Sequence, residues 1–108
     1  MKEKAIEQKL IQAVRRSGGM AVKFVSPGHS GMPDRMVLFP GGQIAFVEVK
    51  APGKKPRPLQ SAVHEKLRSL GFAVYVVDSA ALIDQFIKEM AEGARGRSES
   101  PRRKENEV

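Results

Sequence analysis

Apolar residues recur along this chain with two different periods, and the switches between them mark out the elements. Ile6, Leu10, Ile11 and Val14 stand at helical spacing over about residues 2–17, and Gly18-Gly19 closes the pattern. Ala21 to Val25 reads as a short strand, and Ser26-Pro27-Gly28-His29-Ser30-Gly31 as a loop by composition. Two apolar runs follow, Met36 to Phe39 and Ile44 to Val49, separated by Pro40-Gly41-Gly42, which is the pattern of a β-hairpin. Lys50 to Pro58 is a basic, proline-stiffened crossover. A second helix is expected over about 59–70, burying Leu59, Val63, Leu67 and Leu70, with Gly71 as its C-terminal cap. Ala73 to Val77 forms a fourth strand, and because a helix leads into it, it should run parallel to a neighbour. Asp78 or Ser79 caps a last helix over about 80–91, with Leu82, Ile83, Phe86 and Ile87 inward.

The order α-β-β-β-α-β-α, with hairpin strands apolar on both faces for much of their length, predicts the α/β class. The expected architecture is a mixed sheet flanked by helices. Residues 1–92 form one domain. From Gly93 the chain loses its apolar residues, so 93–108 is expected to be a basic, disordered tail.

The hairpin carries the chemistry. Asp34 opens its first strand, in Gly31-Met32-Pro33-Asp34, and Glu48-Val49-Lys50 ends its second. A hairpin brings its outer ends together, and its register decides which side chains meet. A two-residue Gly41-Gly42 turn would set Arg35 opposite Glu48. A three-residue Pro40-Gly41-Gly42 loop instead sets Phe39 opposite Gln43, Met36 opposite Phe46 and Asp34 opposite Glu48. Three-residue loops need a residue of positive φ, which the glycines supply, so the second register is preferred. The strand period of two then puts Lys50 on the face of Glu48. Two adjacent carboxylates repel unless a cation lies between them, and hard oxygen ligands suit Mg²⁺ or Mn²⁺. The constellation resembles a metal-dependent phosphodiesterase site.

Composition narrows the partners. The 108 residues carry a formal charge of +7, of which 93–108 contribute +2 and 1–92 the other +5. A basic globular part around acidic residues fits a polyanionic substrate. There is no cysteine, which excludes disulfides and zinc–thiolate sites and suits a reducing cytoplasm. No apolar run approaches a membrane span.

Further candidates are held beside their plainer readings. Glu7 lies on or at the rim of the first helix's apolar face and is a candidate metal ligand, with Glu3 one turn earlier; acids near a helix start also simply complement the dipole. Gln60 and His64 flank the second helix's stripe; Gln60 could orient water or phosphate, and His64 is expected at the surface or rim. Lys23, His29, Ser30, Arg35, Lys54, Lys55 and Arg57 are candidate phosphate contacts, although charged runs are also ordinary solvated faces.

Taken together, Gly31-Met32-Pro33-Asp34-Arg35, the hairpin, Phe46-Val47-Glu48-Val49-Lys50-Ala51-Pro52-Gly53 and Gln60 resemble the VRR-NUC family of PD-(D/E)xK nucleases in its small, stand-alone, phage-type form. The resemblance spans residues 1 to about 90. It implies a restriction-endonuclease-like core and Mg²⁺- or Mn²⁺-dependent cleavage of DNA. It further implies homodimers that act on branched DNA such as four-way (Holliday) junctions, in the cytoplasm of a bacterial host if the chain is phage-encoded. Carried onto this sequence, Asp34 and Glu48 bind metal, the Val49 carbonyl completes the ligand set, Lys50 activates water, and Gln60 falls at the motif's helix glutamine. Glu3 and Glu7 both fit its first-helix glutamate. Two other readings compete: a non-catalytic nucleic-acid-binding module, and a flap or nicking nuclease. A pure binder gains nothing from acids that repel phosphate, which favours the nuclease.

Overall fold

The computed structural model describes residues 2–97 of the chain. Seven elements follow in the expected order: α1 (Glu3–Arg16), β1 (Met20–Lys23), β2 (Arg35–Phe39), β3 (Gln43–Val49), α2 (Pro58–Ser69), β4 (Ala73–Val77) and α3 (Ala80–Arg97). The strands form one sheet in the order β1-β2-β3-β4. The β1–β2 and β2–β3 pairs are antiparallel, and β3–β4 is parallel because α2 carries the chain back along the sheet. This is the mixed, helix-flanked sheet the sequence predicts.

The hairpin register follows the three-residue loop. Phe39 pairs with Gln43, Leu38 with Ile44 and Met36 with Phe46. Gly41 and Gly42 both take positive φ, 86° and 82°, a conformation that side chains with a Cβ rarely adopt.

Alternation along the strands divides the interior into two cores. Val37, Ala45, Val47, Val49 and Val77 pack with Ile6, Leu10, Ala13 and Val14 of α1 and with Ile83, Phe86 and Met90 of α3. On the other face Phe46 and Val74 meet Leu67 of α2, with Phe24, Met32, Met36 and Val63 at the margin. The Phe46 ring lies edge-on to Phe24 and Phe72, at centroid distances of 5.5 and 5.7 Å. Glu48 is two residues beyond Phe46, so it emerges on this smaller, α2-covered face.

Some expectations are corrected. β1 ends at Lys23, and Val25 is 72% exposed. The inward face of α2 is Gln60, His64 and Leu67, while Leu59 and Leu70 are exposed at 54% and 61%. The helix is rotated from the stripe that hydrophobicity alone selects, because its first turns pack over a carboxylate. His64 is accordingly buried, not at the rim. Leu82 is exposed, and Met90 occupies the inward position one turn beyond Phe86. α3 continues to Arg97, past the expected end near 91. Gly93 lies inside this helix, beside the Gln43 side chain. The tail expected from 93 thus begins inside a helix, and residues 98–108 lie outside the described residues.

Phe86 is fully buried between Phe39 and Tyr75. Phe86→Ala should therefore cost about 3–5 kcal/mol in urea denaturation. Leu70→Ser should cost less than about 0.5 kcal/mol, although both residues belong to apolar stripes in the sequence.

Candidate active site

Asp34 stands immediately before β2, and its placement is built from both sides. Gly31 has φ 87° and lies against α2, where a Cβ would come within 3.0 Å of Val63 Cγ2 and 3.1 Å of Leu59 Cγ. That close approach pins the loop to α2, and the fully buried Pro33 fixes the backbone leading into the acid. The main chain then enters the sheet, with Phe24 N–H donating to the Asp34 carbonyl at 3.0 Å. The Asp34 side chain reaches across to β3, where Oδ1 accepts from Val49 N–H at 3.3 Å. Asp34 thus sits at the end of β3, beside Glu48.

Glu48 is 4% exposed, and each of its oxygens has different surroundings. Oε2 accepts from Gln60 Nε2 at 3.0 Å and lies 3.4 Å from Lys50 Nζ. The Gln60 amide is itself oriented, because its Oε1 accepts from Arg57 N–H at 2.8 Å at the start of α2. A backbone N–H can only donate, so the Gln60 oxygen must face it and the amide nitrogen must face Glu48. Among the described residues the second oxygen, Oε1, has no hydrogen-bond partner. His64 Nε2, also unpartnered, lies 4.0 Å from it, beyond hydrogen-bond range.

The electrostatics follow from this crowding. Burial, then the charge of Glu48, push the Asp34 carboxyl up to about 6, against the lowering effect of the Val49 N–H. Burial also raises Glu48, while Lys50 and Gln60 act in the opposite direction. Burial, Arg68 and Lys50 lower His64, so its contact with Glu48 is between a neutral ring and an acid rather than an ion pair. Two acids share one face with a single lysine to balance them, and one buried oxygen remains unsatisfied. That donor set fits a hard divalent cation. Among the described residues no three His, Cys, Asp or Glu side chains gather to hold an ion by themselves. Mg²⁺ does not need three, since it keeps several waters and takes one or two carboxylates plus substrate phosphate.

The remaining candidates divide into two groups. Glu7 accepts from Arg35 Nε and Nη2 at 3.1 and 2.8 Å, and Arg35 Nη1 donates to the Ala21 carbonyl at 3.2 Å. Arg35 therefore ties α1 and β1 to β2 with a largely buried side chain. This corrects its place among the phosphate contacts, because its donors face inward. The charge of Glu7 still raises Asp34, whereas Glu3, at the exposed start of α1, raises both Asp34 and Glu48. Lys23, Ser30, Lys54, Lys55 and Arg57 are exposed. They lie on β1's end and the loops 24–34 and 50–57, which flank the end of the sheet holding the two acids. The Lys54-Lys55 loop is anchored by Gly53 N–H, which donates to Asp78 Oδ2 at 3.1 Å. Sequence reasoning also misplaced His64. Its signal was the spacing of Gln60, His64 and Leu67, one helical face in which two of the three residues are polar.

Ionised Asp34 is a burden on the metal-free fold. Its folded pKa near 6 lies above the ordinary 3.8, so the folded chain holds the proton more tightly than the unfolded chain does. Stability is therefore highest where Asp34 is protonated and falls as pH rises through this window. In EDTA, Asp34→Asn should melt above wild type at pH 8, and the difference should shrink steadily below pH 6. Thermal melts over pH 4.5–8 measure this directly, and a difference independent of pH would contradict it.

Comparison with known proteins places the chain in a family. Residues 2–81 match the model of the VRR-NUC domain. A phage protein named "Putative nuclease p44", from Acyrthosiphon pisum secondary endosymbiont phage 1, is 52% identical over 82 residues, covering 76% of this chain and 88% of that protein. A solved structure named "VRR_NUC domain" superposes with a TM-score of 0.76 at 36% identity, covering 82% of this chain and 96% of the other. With its sheet order, its two hairpin-end acids and this likeness in both sequence and structure, the chain belongs to the VRR-NUC family of nucleases.

Proposed function

We propose that this chain is a divalent-metal-dependent DNA endonuclease that hydrolyses phosphodiester bonds, and that it resolves four-way junctions as a homodimer. The observation that carries the catalytic part is the meeting of Asp34 and Glu48 on one sheet face, with Lys50 3.4 Å from Glu48 and Gln60 locking the same oxygen. Asp34, Glu48 and the Val49 carbonyl would hold Mg²⁺ or Mn²⁺, which supplies Lewis acidity and the positive charge that a reacting phosphodiester requires. Lys50 presents a compact charge beside the acids, suited to hold the attacking water and an oxygen of the phosphate as negative charge develops. Gln60 keeps Glu48 from turning toward Lys50 alone.

Of the two α1 acids, Glu7 acts more strongly on Asp34 but is held by Arg35, whereas Glu3 acts on both carboxylates and is the freer to assist. Ligation by Glu7 would require Arg35 to let go. Lys23, Lys54, Lys55 and Arg57 would contact the phosphate backbone on either side of the acids, without reading sequence. No helix among the described residues is long and apolar enough to cross a membrane.

The junction and dimer readings rest on the family and on symmetry. Paired cuts on opposing strands need two sites, and a twofold dimer supplies them most simply.

Asp34→Asn and Glu48→Gln should each reduce cleavage by at least about a thousandfold with Mg²⁺ or Mn²⁺, within the range that single catalytic groups control. DNA binding in EDTA should persist or tighten slightly as carboxylate–phosphate repulsion is relieved. Near-wild-type cutting by either variant would refute the site.

The assembly is tested separately, by light scattering at the concentrations used for cleavage. Wild type should be dimeric and cut four-way junctions in preference to linear duplex. A monomer that cuts flaps or nicks instead would leave the chemistry standing and remove the junction reading.

A further inference from the structure

Glu48 Oε1 and His64 Nε2 are the two buried side-chain atoms without a hydrogen-bond partner among the described residues, and they lie 4.0 Å apart. Buried polar atoms are almost always partnered, and two orphans so close to each other call for a common explanation. The gap exceeds hydrogen-bond length by roughly 1 Å, a distance that small side-chain adjustments close. One bond between the two atoms removes both deficits.

The surroundings say what that bond would do. Gln60 holds Oε2, and His64 is one turn further along the same inward face of α2, 1% exposed. Imidazole with a proton on Nε2 is a donor, and a carboxylate oxygen accepts more than one bond. The geometry points to His64 as a positioning residue for Glu48: Nε2–H donates to Oε1 while Gln60 holds Oε2, so α2 fixes the carboxylate plane from both ends. Oε1 keeps a lone pair free for a cation.

This inference rests on the proposed reading of Asp34 and Glu48 as the cation-binding acids. Groups that orient a metal ligand in this way commonly change metal affinity by 10–100-fold when removed. A histidine that merely filled space between α2 and the sheet could be replaced by an apolar side chain of similar size without that loss.

The test is calorimetric titration of the full chain with Mn²⁺, without DNA, on wild type, His64→Leu, His64→Gln and Asp34→Asn. His64→Leu should bind Mn²⁺ about tenfold or more weakly. His64→Gln, which restores a donor, should recover most of that loss, and Asp34→Asn should lose binding. If His64→Leu binds as tightly as wild type while Asp34→Asn does not, His64 only fills space and this inference fails while the cation site stands. If Asp34→Asn binds Mn²⁺ like wild type, the site reading fails and takes the inference with it. Nitrogen-15 histidine spectra of the metal-free wild type give a second reading that needs no variant to fold. A proton on His64 Nε2 is expected, and a ring with Nε2 bare would overturn the assignment.

Discussion

The structure depends on the register of one hairpin. Because strand side chains alternate, a turn shorter by one residue would put Arg35 rather than Asp34 opposite Glu48 and send the acids to different faces. Gly41 and Gly42, both at positive φ, permit the three-residue loop that avoids this. The same parity assigns Val47 and Val49 to the large core under α1 and α3, and leaves Phe46 and Glu48 facing α2. Core and candidate site are consequently fixed together, and the strand that is most buried is the one that carries Glu48.

α2 then serves two purposes on one face. Leu67 packs on Phe46 and Val74 as an ordinary core residue. Gln60, two turns earlier, ties the helix's own first turn to Glu48 through the two ends of its amide. The cost of this arrangement falls on stability: acids are kept in a partly dry place, Asp34 is raised to about 6, and one oxygen of Glu48 is left without a partner. Such groups are tolerated where function needs them.

Much of this was legible in the residues. The element order, the parallel fourth strand, the hairpin register and the convergence of Asp34, Glu48 and Lys50 follow from periodicity, turn chemistry and the two-residue strand repeat, whereas the place of Gln60 came from the family resemblance. Ser79 also caps α3 as expected, its Oγ accepting from Leu82 N–H at 3.2 Å. The inward face of α2 was not legible by hydrophobicity, because a helix that covers a carboxylate turns polar residues inward and leaves Leu59 and Leu70 outside. Arg35 was misread for a related reason. A basic residue beside a candidate catalytic acid suggests phosphate, yet at this parity it points to the α1 face, where Glu7 meets it. The length of α3 escaped composition because Gly93, read as a stop, lies within the helix.

If the two hairpin ends form a single cation site, diffraction from crystals soaked in Mn²⁺, recorded at a wavelength where manganese scatters anomalously, will show it. A peak bonded to both Asp34 and Glu48, on the α2 face of the sheet, is predicted. Manganese bound elsewhere, or to one acid without the other, would contradict it.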